Sequence, residues 1–464
     1  MTQATLVPAQ ERQAAAVAIV RALRRAGFAA YLAGGCVRDL LLGREPLDFD
    51  VATSAPPQTV LQMFSRTFAV GAQFGVVLVA DAAQNGAEIL TEVATFRSDG
   101  AYSDGRRPES VAYTLSPEED VQRRDFTING LLLDPEKILA GAEPASAVLD
   151  FVGGRADLAA KIIRAIGDPV RRFAEDKLRM LRAIRFAARF DFAIDDATLA
   201  AIRSSAAQIE QVSRERVREE LTRMLTEGRA RRAFELLDAS GLLPCVLPEV
   251  ARMQGVEQPP QFHPEGDVWT HTLLLLEGLP AGCSATLAWG ALLHDVGKPS
   301  TFRRAPDRIR FDGHVEVGVR LAESICARLR MSNEETAQIA ALVANHMRFG
   351  DVEKMRASTL KRFFRVDRFE EHLALHRLDC LASHRDLHLY EFAKANYEAM
   401  PAEAMRPRPF VNGDDLKTLG LPPGPRFRTL LAQVEDAQLE GRIHTRDEAL
   451  DLLQSILAEE SRHA

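Results

Sequence analysis

The chain contains few cysteines, and their arrangement excludes the small folds that depend on them. The five cysteines are odd in number, widely spaced and never form a Cys-x-x-Cys pair. This pattern argues against a disulfide framework and against a zinc finger. It fits a reducing compartment, and we therefore expect a cytoplasmic protein.

Long apolar runs, a leader sequence and an excess of basic residues are also missing. The longest apolar runs are far shorter than a membrane span, and no basic-then-apolar signal opens the chain. The formal net charge is −7 and the pI is about 6.0, which argues against a general coat for nucleic acid. Contacts with RNA must therefore use local basic patches, such as 161–232, and we expect neither a membrane nor DNA as a partner.

The order of sequence patterns predicts an α+β protein with several domains. A chain of 464 residues suggests about three domains. Short strand patterns alternate with turns at first, helical periodicity follows, and the proline-rich segments near 259 and 401–409 indicate linkers. We expect a head over 1–150, a helical body over 151–257, a helical, histidine-rich domain over 258–400 and a helical tail over 401–464.

The most informative feature is a pair of aspartates, in the sequence Leu47-Asp48-Phe49-Asp50-Val51. If this segment is a strand, Asp48 and Asp50 point to one face, and Leu47, Phe49 and Val51 face the core. Two close carboxylates repel each other unless a cation lies between them, and oxygen ligands with room for substrate phosphates favour Mg²⁺. A solvated, Asp-rich turn is the alternative, and the sequence upstream argues against it.

A glycine turn precedes the aspartates, in the run Gly34-Gly35-Cys36-Val37-Arg38-Asp39. We expect an apolar strand over 28–33 to lead into this turn and a helix to follow over 37–42. Glycines at such a junction let the backbone approach a ligand, and the free N–H groups of the helix start favour an anion. Arg38 adds a guanidinium suited to phosphate. A triphosphate site beside a metal site is what nucleotidyl transfer needs.

Two further charged clusters follow. In Arg123-Arg124-Asp125-Phe126-Thr127-Ile128-Asn129, arginine would serve a phosphate and aspartate a ribose hydroxyl, and a surface ion-pair cluster is the alternative. The segment from Arg171 to Phe186 contains neither Gly nor Pro and is predicted to form one helix. On such a helix Asp176 and Arg179 share a face, and further arginines continue along it.

The pair formed by Asp176 and Arg179 suggests how a base could be chosen. An aspartate only accepts hydrogen bonds, and an arginine only donates them. Cytosine and adenine place an amino donor beside a ring-nitrogen acceptor, whereas uracil and guanine place a carbonyl acceptor beside an N–H. The pair would accept C and A and leave buried polar groups unpaired with U and G. A solvated helix with i,i+3 ion pairs is the alternative.

In their order these motifs resemble those of the bacterial class II tRNA nucleotidyltransferases and the related poly(A) polymerases. The likeness extends to Ser213-Arg214-Glu215-Arg216-Val217, and it implies that Asp48 and Asp50 bind the catalytic metals. The glycine-rich stretch 97–108 resembles the mobile loop whose movement accompanies the switch between bases in this family. The resemblance further implies a set of nucleotide-binding residues: Gly35, Arg38, Arg124 and Asp125 for triphosphate and ribose, and Glu175, Asp176 and Arg179 for the base, with Arg182 and Arg185 nearby.

Most of the eleven histidines lie between positions 263 and 388. A lone histidine on a helix is usually a core or surface residue, but here histidines and aspartates occur in an order that resembles the HD metal-dependent phosphohydrolase domain. Imidazoles with carboxylates suit Mn, Ni or Fe, with Mg²⁺ as the alternative, and such a metal can activate water against a phosphoester. The resemblance implies core ligands His271, His294, Asp295 and Asp379 and accessory ligands His314 and His346.

Together the motifs predict an α+β nucleotidyltransferase head with a small mixed sheet, followed by an all-α body and an all-α HD domain. The expected activity is addition of C and A from CTP and ATP to the 3′ end of tRNA, with Mg²⁺ in the head and a phosphohydrolase activity in the HD domain. The alternatives left open are a poly(A) polymerase, an enzyme that adds only CC or only A, and an HD phosphohydrolase with a nucleotide-sensing head. The Asp48/Asp50 pair argues against the last, because a sensor needs no catalytic metal ligands.

Overall fold

Alternating apolar residues form strands in the first third of the chain, and the remainder is almost entirely helical. The computed structural model describes residues 7–71, 75–99, 111–261 and 263–463. The chain divides into two units, Met1–Pro248 and Glu249–Ala464. Among the described helices, none is long and apolar enough to cross a membrane. The finer domain boundaries expected from the sequence stay a prediction.

The first unit combines a sheet with helices. Its elements are α1 (Ala9–Arg25), β1 (Ala30–Ala33), α2 (Gly35–Leu41), β2 (Asp50–Thr53), α3 (Pro57–Met63), β3 (Thr67–Gly71), β4 (Val76–Ala82), β5 (Glu88–Thr95), β6 (Arg97–Asp99), β7 (Val111–Tyr113), α4 (Pro117–Gln122), β8 (Leu131–Leu133), α5 (Pro135–Leu139), β9 (Val148–Asp150), α6 (Gly154–Ala160), β10 (Ile162–Ile163), α7 (Pro169–Glu175), α8 (Leu178–Phe190), β11 (Ala193–Ile194), α9 (Asp196–Ser205), α10 (Arg214–Thr226), α11 (Ala230–Ala239) and α12 (Leu243–Val246).

The second unit is built from helices. After α13 (Pro248–Ala251), its elements are α14 (Val268–Glu277), α15 (Ala285–Leu293), α16 (Lys298–Thr301), β12 (Arg303–Arg304), β13 (Ile309–Arg310), α17 (His314–Arg328), α18 (Asn333–Asn345), α19 (Ala357–Phe364), α20 (Phe369–Ala382), α21 (His388–Ala399), α22 (Ala402–Met405), α23 (Gly413–Thr418), α24 (Pro425–Leu439) and α25 (Arg446–His463).

The first unit contains a mixed sheet. Its described strands follow the order β3-β4-β5-β2-β1-β8-β9. Strands β2 and β5 are parallel, and the other neighbouring pairs are antiparallel. One face packs on α1 through Val20, Leu32, Val51 and Val93. This sheet and the helices that follow confirm the predicted fold class, and in the described helical parts two-residue ribbons, β10–β11 and β12–β13, are added.

The helix predicted from Arg171 to Phe186 is interrupted, and this prediction was wrong. Helix α7 ends at Glu175, because Asp176 adopts an extended backbone with φ −143° and ψ 105°. The Asp176 side chain accepts a hydrogen bond of 3.1 Å from the backbone N–H of Leu178, at the start of α8. Aspartate competes with the helix for such backbone groups, so it favours a helix end over a helix interior.

The helical tail of the second unit has an apolar cluster of its own. Val411, Leu416, Leu430 and Leu453 belong to that cluster, whereas Phe349, Phe363 and Phe369 belong to another, formed by the preceding helices. Charged groups link the two: Arg362 on α19 donates to Glu435 on α24 at 2.8 Å and also contacts Asp436.

Candidate functional site

A cleft of about 570 Å³ in the first unit gathers most of the predicted nucleotide-binding residues. The turn after β1, the outer face of β2 and β5, and helix α8 each supply side chains to it. Asp48 and Glu175 stand outside its lining. The predicted residues that line it are Gly35, Arg38, Asp50, Arg124, Asp125, Asp176, Arg179, Arg182 and Arg185.

The two aspartates are not both strand residues. Asp50 opens β2, but Asp48 is exposed in the segment before it. Phe49 and Val51 are buried as predicted, whereas Leu47 is 67% exposed, so its predicted burial was wrong. The alternation of faces begins only where β2 pairs with its neighbours, and Leu47 precedes that point.

A third carboxylate, Glu92 on β5, lies beside the pair and was missed from the sequence. Val51 pairs with Val93 across parallel strands, so Asp50 and Glu92 lie side by side on the outer face. Burial, with the neighbouring charges of Glu92 and Asp48, raises the pKa of Asp50 to about 7. Burial and Asp48 also raise the pKa of Glu92. Carboxylates that resist ionisation together fit a divalent cation, which would neutralise them.

The glycine turn brings arginine close to the backbone. Gly34, just before α2, has a φ of 73°, which favours glycine, and a Cβ there would approach Nη1 of Arg124 to 3.1 Å. Arg38 in α2 donates to Asp39 and to Asn129 and lies over the ring of Phe190. The turn therefore places two guanidinium groups and free helix-start N–H groups on one wall of the cleft.

Asp125 is a fixed anion in this cleft. It accepts hydrogen bonds from Nε and Nη2 of Arg182 at 2.9 and 2.6 Å and from Asn129 at 3.0 Å. Burial opposes its ionisation, but Arg182 and Asn129 outweigh burial and lower the pKa of Asp125 to about 2. Arg185 is buried and donates to Glu220 at 2.7 Å. The arginines of α8 therefore orient carboxylates as well as facing the cleft.

The predicted base readers meet at the break between α7 and α8, and the prediction that they share a helical face was wrong. Arg179 donates to Glu175 at 2.9 Å and to the carbonyl oxygen of Arg123 at 3.0 Å. Two hydrogen bonds from Arg216 on α10, at 3.1 and 2.8 Å, hold Asp176. Both readers still line one cleft, and Glu175 acts as an anchor for Arg179.

The predicted switch loop over 97–108 lies mostly outside the described residues. Its first residues form β6, which pairs with β7 beyond the loop.

The six predicted HD residues converge in the second unit. Among the described side chains, ligand atoms lie within 4.8 Å of one another in two groups made only of these residues. Nε2 of His271 lies 3.1 Å from Oδ1 of Asp379 and 3.3 Å from Nε2 of His294. The groups are His271, His294 and Asp379, and Asp295, His314 and His346.

The backbone fixes which ring nitrogen of three histidines faces the cluster. Nδ1 of His294, His314 and His346 lies 2.9, 2.9 and 2.7 Å from a carbonyl oxygen three residues earlier in the chain. Each Nδ1–H therefore donates outward and each Nε2 offers a lone pair inward. Burial lowers the pKa of His346 to about 4, so its ring is neutral.

Buried atoms without partners show that this cluster fits a divalent cation. Among the described residues, Oδ1 of Asp295 and Nε2 of His314 and His346 have no hydrogen-bond partner. The Nε2 atoms lie 3.8 and 3.7 Å from that oxygen, too far for a hydrogen bond. A cation between them would satisfy all three, and these are ligand atoms that transition metals accept.

Sequence reasoning missed Glu265, which supports the cluster. Its Oε1 lies 2.7 Å from Nδ1 of His271 and 2.9 Å from Nδ1 of His263. Lys298 was also missed, and its Nζ lies 2.7 Å from Oδ2 of Asp295. A cavity of about 530 Å³, lined in part by Lys298, His263 and Arg310, opens onto the cluster. Glu265 precedes α14, so no helical spacing connects it to His271 in the sequence.

Comparison with known proteins matches three family models to this chain. They are described as the poly A polymerase head domain, over residues 30–164, the probable RNA and SrmB-binding site of polymerase A, over 191–254, and the HD domain, over 268–380. The order of these models follows the order of the motifs along the chain.

Individual proteins match over nearly the whole chain. A CCA-adding enzyme of Geobacillus sp. (strain WCH70) is 31% identical over 443 residues, which cover 94% of this chain and 95% of that enzyme. The structure of the Bacillus stearothermophilus CCA-adding enzyme in complex with CTP is 25% identical, with a TM-score of 0.74, and covers 98% of this chain and 100% of that one. The Thermotoga maritima CCA-adding enzyme complexed with tRNA-CCA has a TM-score of 0.57 at 18% identity over 97% of both chains, which shows the shared fold.

Proposed function

The chain belongs to the family of CCA-adding enzymes, and from this premise we propose that its first unit adds C and A from CTP and ATP to the 3′ end of tRNA. The observation that carries the proposal is the single cleft in which Asp50 meets the glycine turn, the arginines and the base readers. A nucleotide-sensing module would need the arginines but not the acidic pair of Asp50 and Glu92.

The carboxylates supply the metal end of the cleft. Asp48, Asp50 and Glu92 offer the oxygen ligands that suit Mg²⁺, which, when bound, orients the α-phosphate and lowers the pKa of the attacking hydroxyl. Asp50 and Glu92 share the outer face of adjacent strands, and Asp48 reaches them from the preceding segment. Their raised pKa values make them dependent on a cation for ionisation near neutral pH.

The arginine wall binds the rest of the nucleotide. The turn at Gly35, together with Arg38 and Arg124, receives the triphosphate, because backbone N–H groups and guanidinium groups there converge on one wall. Asp125 accepts a hydrogen bond from a ribose hydroxyl, since its low pKa keeps the carboxylate ionised and therefore an acceptor. Arg182 holds Asp125 in place for that contact.

Asp176 and Arg179 read the base. Arg216 and Glu175 fix their orientation, so the pair presents a rigid acceptor and donor to C or A. Arg179→Ala should relax discrimination against UTP and GTP or abolish addition, because the donor to the ring nitrogen is gone. Addition of only C and A at normal rates by this variant would show that the base is read elsewhere.

The second unit supports a metal-dependent phosphohydrolase activity as a second function. The observation that favours it is the set of three buried, unpartnered ligand atoms on Asp295, His314 and His346. Mn, Ni or Fe suits this donor set, with Mg²⁺ as the alternative, and when bound such a metal activates water. Phosphorylated or 2′,3′-cyclic RNA ends are the proposed substrates. Metal analysis of protein purified without chelator, together with phosphoester hydrolysis assays, tests this activity.

End-sequencing of tRNA lacking its 3′ end, after incubation with ATP, CTP or both, tests the main function. We expect CC with CTP alone and a complete CCA with both nucleotides, followed by a stop. Long A tails that ignore CTP would indicate a poly(A) polymerase, and a product ending at CC or accepting only A would indicate a split specificity. An Asp50→Ala variant serves as the inactive control.

A further inference from the structure

The outer face of the sheet continues beyond the carboxylates as an apolar surface. On β5 the residues alternate, so that Val93 is buried while Leu90 and Glu92 face outward. The register pairs Glu92 with Leu78 on β4, and Leu78 with Phe68 on β3. Paired residues project to the same face, so Phe68, Leu78 and Glu92 lie side by side across three strands, and Leu90 lies on that face two residues before Glu92.

This surface is accessible and continuous with the cleft. Phe68 is 45% exposed and Leu90 is 51% exposed, although both are large apolar side chains. Val76 and Ala94, on the same outer face, line the cleft together with Glu92. Exposed apolar side chains grouped beside a site mark a binding surface more often than a scattered surface residue does.

The sheet order gives the surface a direction. The glycine turn and Asp125 lie on the side of the sheet formed by β1 and β8, and Asp50 and Glu92 lie on β2 and β5. The apolar surface continues from there over β4 and β3. In nucleotidyl transfer the metal ligands lie between the α-phosphate and the attacking 3′ hydroxyl. If the arginine side receives the nucleotide, the end of the RNA reaches the carboxylates from the β4 and β3 side.

We propose that Phe68, Leu78 and Leu90, here called the stacking row, bind the bases of the last nucleotides of the RNA being extended. The proposal rests on the function proposed above. Neighbouring strands lie about 4.8 Å apart, so Leu78 and Phe68 lie about 5 and 10 Å from Glu92, within reach of the nucleotides that precede the 3′ hydroxyl.

Apolar stacking suits this task because the end of the RNA is not the same at every step. The RNA ends in C before the second and third additions but in another base before the first addition in many tRNAs, so contacts that recognise the edge of one base would fail at one of the steps. Stacking on aromatic and apolar side chains tolerates any base, since every base has a π-face. The row therefore holds the RNA without choosing a base, and the choice is left to the readers of the incoming nucleotide.

Steady-state kinetics with tRNA lacking its 3′ end tests the row. We expect Phe68→Ala to raise the KM for tRNA by about tenfold, the loss of one stacked base, while the KM for CTP stays within about twofold. Phe68→Trp, which keeps an aromatic ring, should show the wild-type KM for tRNA. Leu139→Ala, which removes another exposed leucine of the same unit, is the matched control and should leave both constants unchanged. An unchanged KM for tRNA in both Phe68→Ala and Leu90→Ala would overturn the proposal.

An abasic tRNA separates stacking from a structural effect of the substitution. Removing the base next to the 3′ end should raise the KM of the wild-type enzyme by a similar factor and should have little further effect on Phe68→Ala. If the effects of removing the base and of Phe68→Ala on the KM for tRNA add, that base does not contact Phe68 and the proposal is overturned. If the wild-type enzyme adds no nucleotide to tRNA that lacks its 3′ end but retains all its remaining bases, the proposed function fails instead, so the two failures are distinguishable.

Discussion

In the cleft of the first unit, burial and neighbouring carboxylates raise the pKa values of Asp50 and Glu92, whereas in the second unit burial lowers the pKa of His346 to about 4, so that a neutral ring faces Asp295. The arginines of the cleft are held by carboxylates, as Arg179 is by Glu175. Backbone carbonyls, which cannot change protonation, hold His294, His314 and His346 of the second unit.

This difference indicates two ways of holding a cation. The cleft is poised for ions that arrive with the phosphates of a nucleotide, because its carboxylates repel one another until a cation is bound. The histidine cluster is preorganised for a resident ion, because its ligand atoms already converge and three of them, on Asp295, His314 and His346, lack hydrogen-bond partners among the described residues. The first site should therefore bind metal weakly without substrate, and the second should retain metal through purification.

The largest expected effect is the loss of nucleotide addition when a carboxylate of the cleft is removed, because the histidine cluster should be unaffected by that change. Asp48→Ala or Asp50→Ala should lower nucleotide addition by roughly 10³-fold or more, because the charge that positions the metal is lost. The fold should remain intact, since no apolar core is removed. Incorporation of labelled CMP and AMP measures the loss, and hydrolysis by the second unit should continue as the internal control. Near-wild-type incorporation by either variant would contradict the catalytic role proposed for the substituted aspartate.

The reciprocal substitution, in the histidine cluster, should have a nearly equal effect on phosphoester hydrolysis. His294→Ala removes a ligand from the histidine cluster, so bound metal and phosphoester hydrolysis should both disappear. Nucleotide addition should persist within about twofold of the wild-type rate, because the cleft carboxylates lie in the other unit. Metal content by elemental analysis and the two assays test this. Wild-type protein that holds no metal and hydrolyses no phosphoester with added manganese, nickel or magnesium would contradict it.

A subtler change tests preorganisation itself. Glu265→Gln keeps the shape of the side chain but weakens its hold on Nδ1 of His271, so metal affinity should fall by about 10- to 100-fold. Titration of metal into the metal-free protein gives the affinity directly. Glu316→Gln, at an acidic residue outside both ligand groups, is the control. Unchanged affinity in Glu265→Gln would mean that packing alone orients His271.

The smallest effect is a change in thermal stability. The folded-state pKa of Asp50 is about 7, above its ordinary value of 3.8, so its stability contribution is present below about pH 4 and is lost as pH rises through 7. With chelator at pH 8, Asp50→Asn should raise the melting temperature by about 2–4 °C, the shift expected for about 1 kcal/mol in a unit of this size. At pH 4 the gain should vanish. An equal gain at both pH values would show that charge is not the cause.

The sequence predicted those features that local patterns determine. Asp50, Arg124 and Asp125 belong to short motifs, and a glycine turn that leads into a helix start favours an anion there. The histidine cluster was predicted only through the resemblance of the order of histidines and aspartates to that of the HD domain, because its members lie on or next to different helices.

The remaining features depend on tertiary neighbours. Glu92 joins the site only because β5 pairs with β2, and Arg216 reaches Asp176 only because α10 packs on α8. The break after Glu175 went unpredicted because helix propensity favoured continuation, while the Asp176 side chain found better partners outside a helix. Leu47 was misplaced because the position at which a strand begins is set by its pairing.

The break after Glu175 has a consequence for how base choice can evolve. Arg216 donates to Asp176, and Glu175 accepts from Arg179, so each of the two proposed base readers is oriented by a hydrogen bond. If Asp176 and Arg179 read the base, as proposed above, the choice of nucleotide also depends on the contacts made by Arg216 and Glu175. A lineage could shift from two bases to one by substitutions on α10 or at the end of α7, while Asp176 and Arg179 stay the same.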